Sequence, residues 1–434
     1  MPLFIALIAL FWGGSAPLFA STSANVKRSV DRVETADKSA ESLILPFAFS
    51  TETMGLNLGL GMMASGYYQD QMTVGAAGFG GEVSHGLGAG LWNFRLPGTD
   101  RLYFSIVGMA GYYPDQRAYG NPKSEFHSSP VAGSNDSSLD DYIEANGSSN
   151  WWEMKLEFSL PMGATKEKGF IHYKTRNGLL ISEPSGGEEW NPWASGASVI
   201  VLRQFNRYQS FEQQNRFLDG AVHAIELGLL YDNTDFPLNP STGSKQYISI
   251  SHDAAWFESD HQWTFVEFDA SKYYSFGESE HAYQRIIALN FWTGYSPTWE
   301  VEYSDEGQQR IKSAPPYNEG ATLGGFYKMR GYNQNRFHDK AAIYMSAEYR
   351  YTLKYNPAAG VKWLRFLKLD WVQLVPFVEA GRVAPEYTAK TLLSDLKYDG
   401  GVSLRAMMAG LIVRADVAGS EEGGSLWVMI DHPF

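Results

Sequence analysis

Gly424-Ser425-Leu426-Trp427-Val428-Met429-Ile430-Asp431-His432-Pro433-Phe434 is the stretch on which the fold of this 434-residue chain turns. Leu426, Val428, Ile430 and Phe434 fall on one face of a strand, because side chains alternate sides with a period of two. An alternating strand that stops on an aromatic residue is the pattern of a segment with lipid on one side and a lumen on the other. The competing reading is a half-buried strand of a soluble sheet. His432 stands where the lipid-facing pattern takes an apolar side chain.

The alternation recurs upstream. Val413, Ala415 and Val417 oppose Arg414 and Asp416; Ile343, Met345, Ala347, Tyr349 and Tyr351 oppose Ser346, Glu348 and Arg350; Val266, Phe268 and Ala270 oppose Glu267, Asp269 and Ser271. Strands are expected near 43–50, 55–66, 72–80, 87–97, 101–113, 150–160 and 168–177. Others are expected near 221–232, 244–254, 262–275, 283–295, 342–355, 368–383, 398–408, 410–417 and 425–434. These ranges predict an all-β, transmembrane antiparallel β-barrel of sixteen strands. Within 178–220, residues 199–205 read either as another strand or as part of a long loop. Residues 97–100 and 409–410 suit tight periplasmic turns, and the Ser-, Asn- and Gly-rich residues 114–149 suit an external loop.

Residues 3–12 are an uncharged apolar run, too short to span a bilayer as a helix. With Ala20 and Ala24 as small residues at candidate cleavage sites, residues 1–24 read as a signal peptide, 25–42 as a short periplasmic segment and 43–434 as the barrel. A cell outer membrane of Gram-negative type follows as the expected location. No other segment approaches the length of a membrane helix, and a closed barrel is the other way for a backbone to satisfy its hydrogen bonds in lipid. Aromatic residues make up 15% of the chain, matching the girdles that barrels place at both interfaces. A net charge of −13 argues against nucleic acid as a partner, and the lack of cysteine excludes disulfides and thiolate sites. Residues 136–141 lack the ordered spacing of a calcium loop, so neither metal nor cofactor is expected. The nine histidines include the His252-Asp253 and His338-Asp339 pairs, but none lies in a recognisable catalytic motif. No catalytic residue is assigned.

Further motifs carry a resemblance. Tyr231-Asp232-Asn233-Thr234-Asp235 precedes Pro240-Ser241-Thr242-Gly243; then come Leu323-Gly324-Gly325, Met329-Arg330-Gly331-Tyr332, Ala347-Glu348-Tyr349-Arg350 and Phe377-Val378-Glu379-Ala380-Gly381. In this order they resemble the BamA/TamA superfamily of outer-membrane assembly and secretion barrels, the bacterial surface antigen type, over about 43–434 and most strongly over 225–434. The turn signature is carried by Asp232, Asp235, Pro240 and Gly243. Phe377, Glu379 and Gly381 stand for the family's Phe-x-Asp-x-Gly wall motif, with Glu in place of Asp. The resemblance implies that the long loop bearing Met329, Arg330, Gly331 and Tyr332 folds back into the lumen, with Glu379 as partner to Arg330 and Glu348 as second choice. A confined guanidinium with five donors requires such a carboxylate. Gly331 is expected to let the loop turn tightly, and Tyr332 to anchor it.

The chain departs from the family's assembly members in the short stretch before its first expected strand, where those members carry POTRA domains. A separate periplasmic POTRA or TamB-like partner would supply that role. Gly55, Gly59, Gly61 and Gly66 near one edge, and Gly423, Gly424 and Pro433 near the other, suggest a weakly paired seam or simply accommodate barrel curvature. Assembly or translocation of a client or passenger polypeptide is the favoured function, in contact with outer-membrane lipid and lipopolysaccharide. A passive loop-plugged channel or structural barrel is the alternative, and a barrel-embedded hydrolase the remote one.

Overall fold

The computed structural model describes residues 24–33, 40–51, 55–119, 130–213, 216–217, 220–257, 259, 261–303, 309–357, 362 and 367–434. The expected signal segment up to residue 23, including Ala20, lies outside them. Sixteen strands pair antiparallel with their neighbours in chain order. The first eight are β1 (Glu41–Thr51), β2 (Gly55–Ser65), β3 (Thr73–Gly81), β4 (His85–Arg95), β5 (Leu102–Ala118), β6 (Ile143–Ser159), β7 (Ala197–Gln209) and β8 (Gly220–Asp232). The remainder are β9 (Gly243–Ala254), β10 (Gln262–Ser275), β11 (Ala282–Tyr295), β12 (Ala341–Leu353), β13 (Leu369–Ala384), β14 (Lys397–Met408), β15 (Leu411–Ser420) and β16 (Gly423–Ile430). The ladder runs without a break from β1 to β16 and rolls into a barrel.

The two faces of this sheet are inverted relative to a soluble protein. Outward positions expose Leu58, Leu227, Ile248, Val378 and Leu426 by half or more, whereas Glu348, Arg350, Arg405 and Asp416 on the inner face are buried. An apolar exterior around a charged interior is stable only where the exterior meets lipid. Exposed aromatics ring both ends: Tyr68, Trp193, Tyr274, Phe276 and Tyr355 at the end where β1 begins and β16 finishes, here the terminal end, and Tyr208, Trp256, Phe257 and Tyr398 at the other. Among the described residues no helix is long and apolar enough to cross a membrane.

Several expected boundaries differ from those found. Residues 168–177 are not a barrel strand: Ile171–Arg176 pairs in parallel with Arg28–Arg32 and antiparallel with Leu179–Leu180, forming a small separate sheet. Its alternation of Tyr173 and Thr175 inward with His172 and Lys174 outward mimics a wall strand, but six residues are too few to span a bilayer. The wall strand is Ala197–Gln209, so sixteen strands result from a different set. The terminal end therefore carries a long insertion, residues 160–196, besides its tight turns at 97–100 and 409–410. At the other end β5 and β6 extend well past the expected limits, since Asn- and Ser-rich residues 143–150 pair with β5 instead of looping.

The closing strand also ends early. Asp431 has φ of 66°, which turns the chain off the ladder. Phe434 consequently leaves the lipid face and packs inside, in a cluster with Tyr273, Ile286 and Ala288, its ring 5.2 Å from the Arg350 guanidinium. His432 bonds Arg405 Nη1 through Nδ1 at 2.7 Å, which accounts for a polar residue at that position. Leu426 does face outward, while Val428 and Ile430 are progressively covered. Pro433 lies beyond the strand, and the Gly-rich segment is β2. The edge strand β1 instead contains Pro46, which lacks a donor for the ladder.

Candidate functional site in the lumen

The loop between β11 and β12, residues 296–340, re-enters the barrel and is fixed at three basic residues. The central one is Arg330, whose side chain is fully buried. Its Nε donates to Glu379 Oε1 at 3.0 Å, its backbone N–H to Glu379 Oε2 at 2.6 Å, and its Nη2 to Glu348 Oε1 at 3.1 Å. Asp416 lies 3.5 Å from Nη1, and the guanidinium stacks 3.5 Å from the centroid of Phe377. The Arg330 carbonyl accepts from Ser425 Oγ at 2.5 Å and Trp427 Nε1 at 2.7 Å. One loop residue thus ties β12, β13, β15 and β16 together.

The wall motif is built for this contact. Phe377, Glu379 and Gly381 occupy alternate positions on β13 and so share the inner face. Phe377 stacks on the guanidinium and Glu379 accepts from it. A Cβ on Gly381 would lie 2.9 Å from Leu323 Cδ1 and 3.0 Å from Met329 Sδ, so glycine makes room for the loop. Gly331 serves a similar purpose. The left-handed residue is Met329, two positions earlier, at φ 56°, whereas a Cβ on Gly331 would meet Asp399 Cβ at 2.6 Å and the Gly419 backbone at 2.9 Å. The expected tight turn is present, with Tyr332 N–H donating to the Met329 carbonyl at 3.1 Å, and the close approach to the wall is what excludes a Cβ at Gly331. Tyr332 is buried, donates to the Tyr398 carbonyl at 3.2 Å and packs edge-on against Phe337.

Around Arg330 stands a charge cluster of which the motifs include Glu348 and Arg350 but not Arg405, Arg414 or Asp416. Glu348 accepts from Arg405 Nη2 at 2.6 Å and Arg350 Nε at 2.9 Å as well as from Arg330. Arg414 pairs with Asp416 and donates to the Phe326 carbonyl at 2.6 Å. Arg405 and Arg414 are direct register partners, like charges side by side whose repulsion Glu348 and Asp416 offset. On either side of Arg330 in the loop, Lys328 Nζ sits 3.5 Å above the Trp292 ring, and Arg336 binds Glu422 at 2.8 Å and the Ser137 carbonyl at 2.7 Å. Period-two runs of charge on β12 and β15 were the available signal for the cluster; Lys328 and Arg336 had none.

At the terminal end the turn signature closes the β8–β9 connection. Asp232 Oδ1 accepts from the N–H and hydroxyl of Thr234 at 2.9 and 2.6 Å, and Asp235 accepts from Ser241 N–H at 2.8 Å. Pro240 is buried in this turn, and Gly243 has φ of 94°, with space for no Cβ beside the Asn233 carbonyl. The turn supports the insertion 160–196 through Ser185 Oγ to the Thr234 carbonyl at 2.9 Å. Beneath it the segment Ala24–Arg32 enters the barrel. Ala24 and Val26 pack with Val199, Val201, Leu230 and Tyr247, and fully buried Lys27 pairs with Glu157 at 2.7 Å.

Burial lowers the Lys27 ammonium to about 8, with Glu157 opposing. A lysine held below its free value binds fewer protons docked than undocked, so docking strengthens as pH rises from about 8 toward the free value of 10.5. Limited proteolysis within residues 24–33 is therefore expected to slow between pH 7.5 and 10, a range set by these values. Faster cleavage at the higher pH would contradict this. His338 is half-buried against Trp299, with ring centroids 4.9 Å apart, and desolvation of the ring lowers it to about 3, which leaves it a poor base near neutrality.

An Omp85 superfamily domain matches residues 201–419, just over half of the chain, spanning the turn signature, the loop and the wall motif. The chain belongs to the Omp85 superfamily. Among solved structures this Omp85 barrel is similar to CdiB from Escherichia coli, with TM-score 0.51, 10% identity, and 90% of this chain and 62% of that chain covered. That likeness shows the barrel fold alone. It is also similar to CdiB from Acinetobacter baumannii (TM-score 0.46, 10% identity, 90% and 58% covered). BamA from Haemophilus ducreyi lacking POTRA domains 1–3 gives TM-score 0.45 and 13% identity, with 91% and 69% covered. The chain thus spans about three fifths of either CdiB chain. No curated protein matches the sequence.

Proposed function

We propose that this Omp85 barrel resides in a Gram-negative outer membrane and assembles or translocates client polypeptides, acting at the edge between β1 and β16. The observation that carries the edge reading is the filled lumen. The Arg330 loop occupies it from one side and Ala24–Arg32 from the other, so a client meets a plugged pore before it meets an open one. The edges are the weaker part: β1 carries Pro46, and β16 has eight ladder residues starting at Gly423-Gly424. With sixteen strands, β1 begins and β16 finishes on one side, and the end with the longer connections 119–142 and 296–340 faces outward. The terminal end then faces the periplasm, where 160–196 offers a docking platform for a separate periplasmic partner.

The test is reconstitution in phospholipid vesicles with an unfolded outer-membrane barrel as client, folding being followed by its heat-dependent gel migration. Faster client folding than in empty vesicles is expected. Steady ion conductance with no effect on client folding would support the passive channel instead and end this reading.

A further inference from the structure

A groove of about 790 Å³ crosses the outer surface of the barrel from β9 to β14. Its course is set by register: Gln246, Ala270, Phe291, Met345, Ala380 and Tyr398 are successive partners across five ladders, all on the outward face. The row starts near the terminal end of β9 and finishes near the opposite end of β14, so the groove climbs diagonally up the wall. Five strand spacings make it roughly 24 Å wide. Ala270, Ala347 and Ala380 keep its floor low between Leu289, Met345 and Val378.

The outward-facing cation of the groove is at its lower end. Ser244, Gln246 and Lys272 line it there, with Lys272 Nζ 5.6 Å from the Tyr274 ring. Gln246 Oε1 accepts from Trp190 Nε1 at 2.9 Å, which brings the insertion 160–196 to the same rim. A cation beside an aromatic ring at the interface level, below a concave apolar track, matches an anionic headgroup followed by its acyl chains.

We infer that this groove binds an anionic phospholipid of the periplasmic leaflet, its phosphate at Lys272 and an acyl chain along Ala270, Leu289, Met345 and Ala347. The inference rests on the outer-membrane orientation proposed above. Lipid A is the competing anion, but it resides in the opposite leaflet, and in that orientation the groove's cation faces the periplasm.

Native mass spectrometry of the detergent-solubilised full chain tests this, with phosphatidylglycerol, phosphatidylcholine of matched palmitoyl-oleoyl chains, and lipid A offered separately. Phosphatidylglycerol should be retained about fivefold better than phosphatidylcholine, the size of one lysine–phosphate attraction near a membrane surface. Lys272→Gln should remove that preference while leaving both lipids bound, and Ala347→Phe, which fills the floor, should abolish retention of both. Leu58→Phe, on the distant outward face of β2, should change neither. Equal retention of the two phospholipids by the unmodified chain, preference for lipid A, or retention indifferent to Ala347→Phe would each overturn the inference. Heat-dependent migration and membrane fractionation of the same variants report on the barrel separately. A variant that folds and fractionates normally yet contradicts the lipid results overturns the groove alone.

Discussion

Glu348→Ala destabilises the barrel more than any other single change in the lumen, by about 5 kcal/mol, a magnitude reserved for broken buried charge networks. Three guanidiniums, from Arg330, Arg350 and Arg405, donate to this one carboxylate, and all four side chains are fully buried. Removing it leaves neighbouring cations with no common counterion, and repulsion between them adds to the lost hydrogen bonds. Glu348→Gln, which keeps an acceptor but no charge, should fall between the two states. The readout is the fraction of heat-modifiable protein in membranes and its urea unfolding midpoint in vesicles. A Glu348→Ala barrel as stable as the unmodified one would show that solvent in the lumen screens the cluster.

Arg330→Ala lowers stability by about 3–5 kcal/mol, the cost of breaking a buried pair from one side. Glu379 then loses its guanidinium partner and Phe377 its stacked cation, while Tyr344 and the backbone N–H of residue 330 still donate to Glu379, which limits the loss. Glu379→Ala should behave alike, and the double variant should cost less than the sum because both changes delete one interaction. Lys312→Ala, in an exposed pair with Glu302 earlier in the same loop, should stay within about 0.5 kcal/mol. Additive effects of Arg330→Ala and Glu379→Ala would mean that the loop is held elsewhere, at Lys328 or Arg336.

Alternation alone was enough to read an all-β barrel, since the two faces of every strand differ in kind: Leu426 and Val378 meet lipid, Glu348 and Asp416 a lumen. Period two is a property of residues two apart, so it survives without knowledge of the fold. The same locality limits it. It places 168–177 in the wall, because a short strand over the barrel mouth alternates as a wall strand does. It leaves Phe434 on the lipid face, because a left-handed Asp431 is invisible to a pattern of polarity.

Family motifs extended the reading to Arg330 and Glu379, which lie 49 residues apart. The remaining partners of Arg330 include Asp416, 86 residues away, and the Phe377 ring. Which charges meet across a lumen depends on strand number, stagger and curvature, quantities shared by the whole sheet and encoded at no single position. The sequence by itself determined the strands, their inward and outward faces and the presence of a basic loop. Only the tertiary structure decided that four buried arginines share their carboxylates, that Ala24–Arg32 enters the mouth and that the chain end turns inside, because each contact joins segments the barrel brings together only on rolling up.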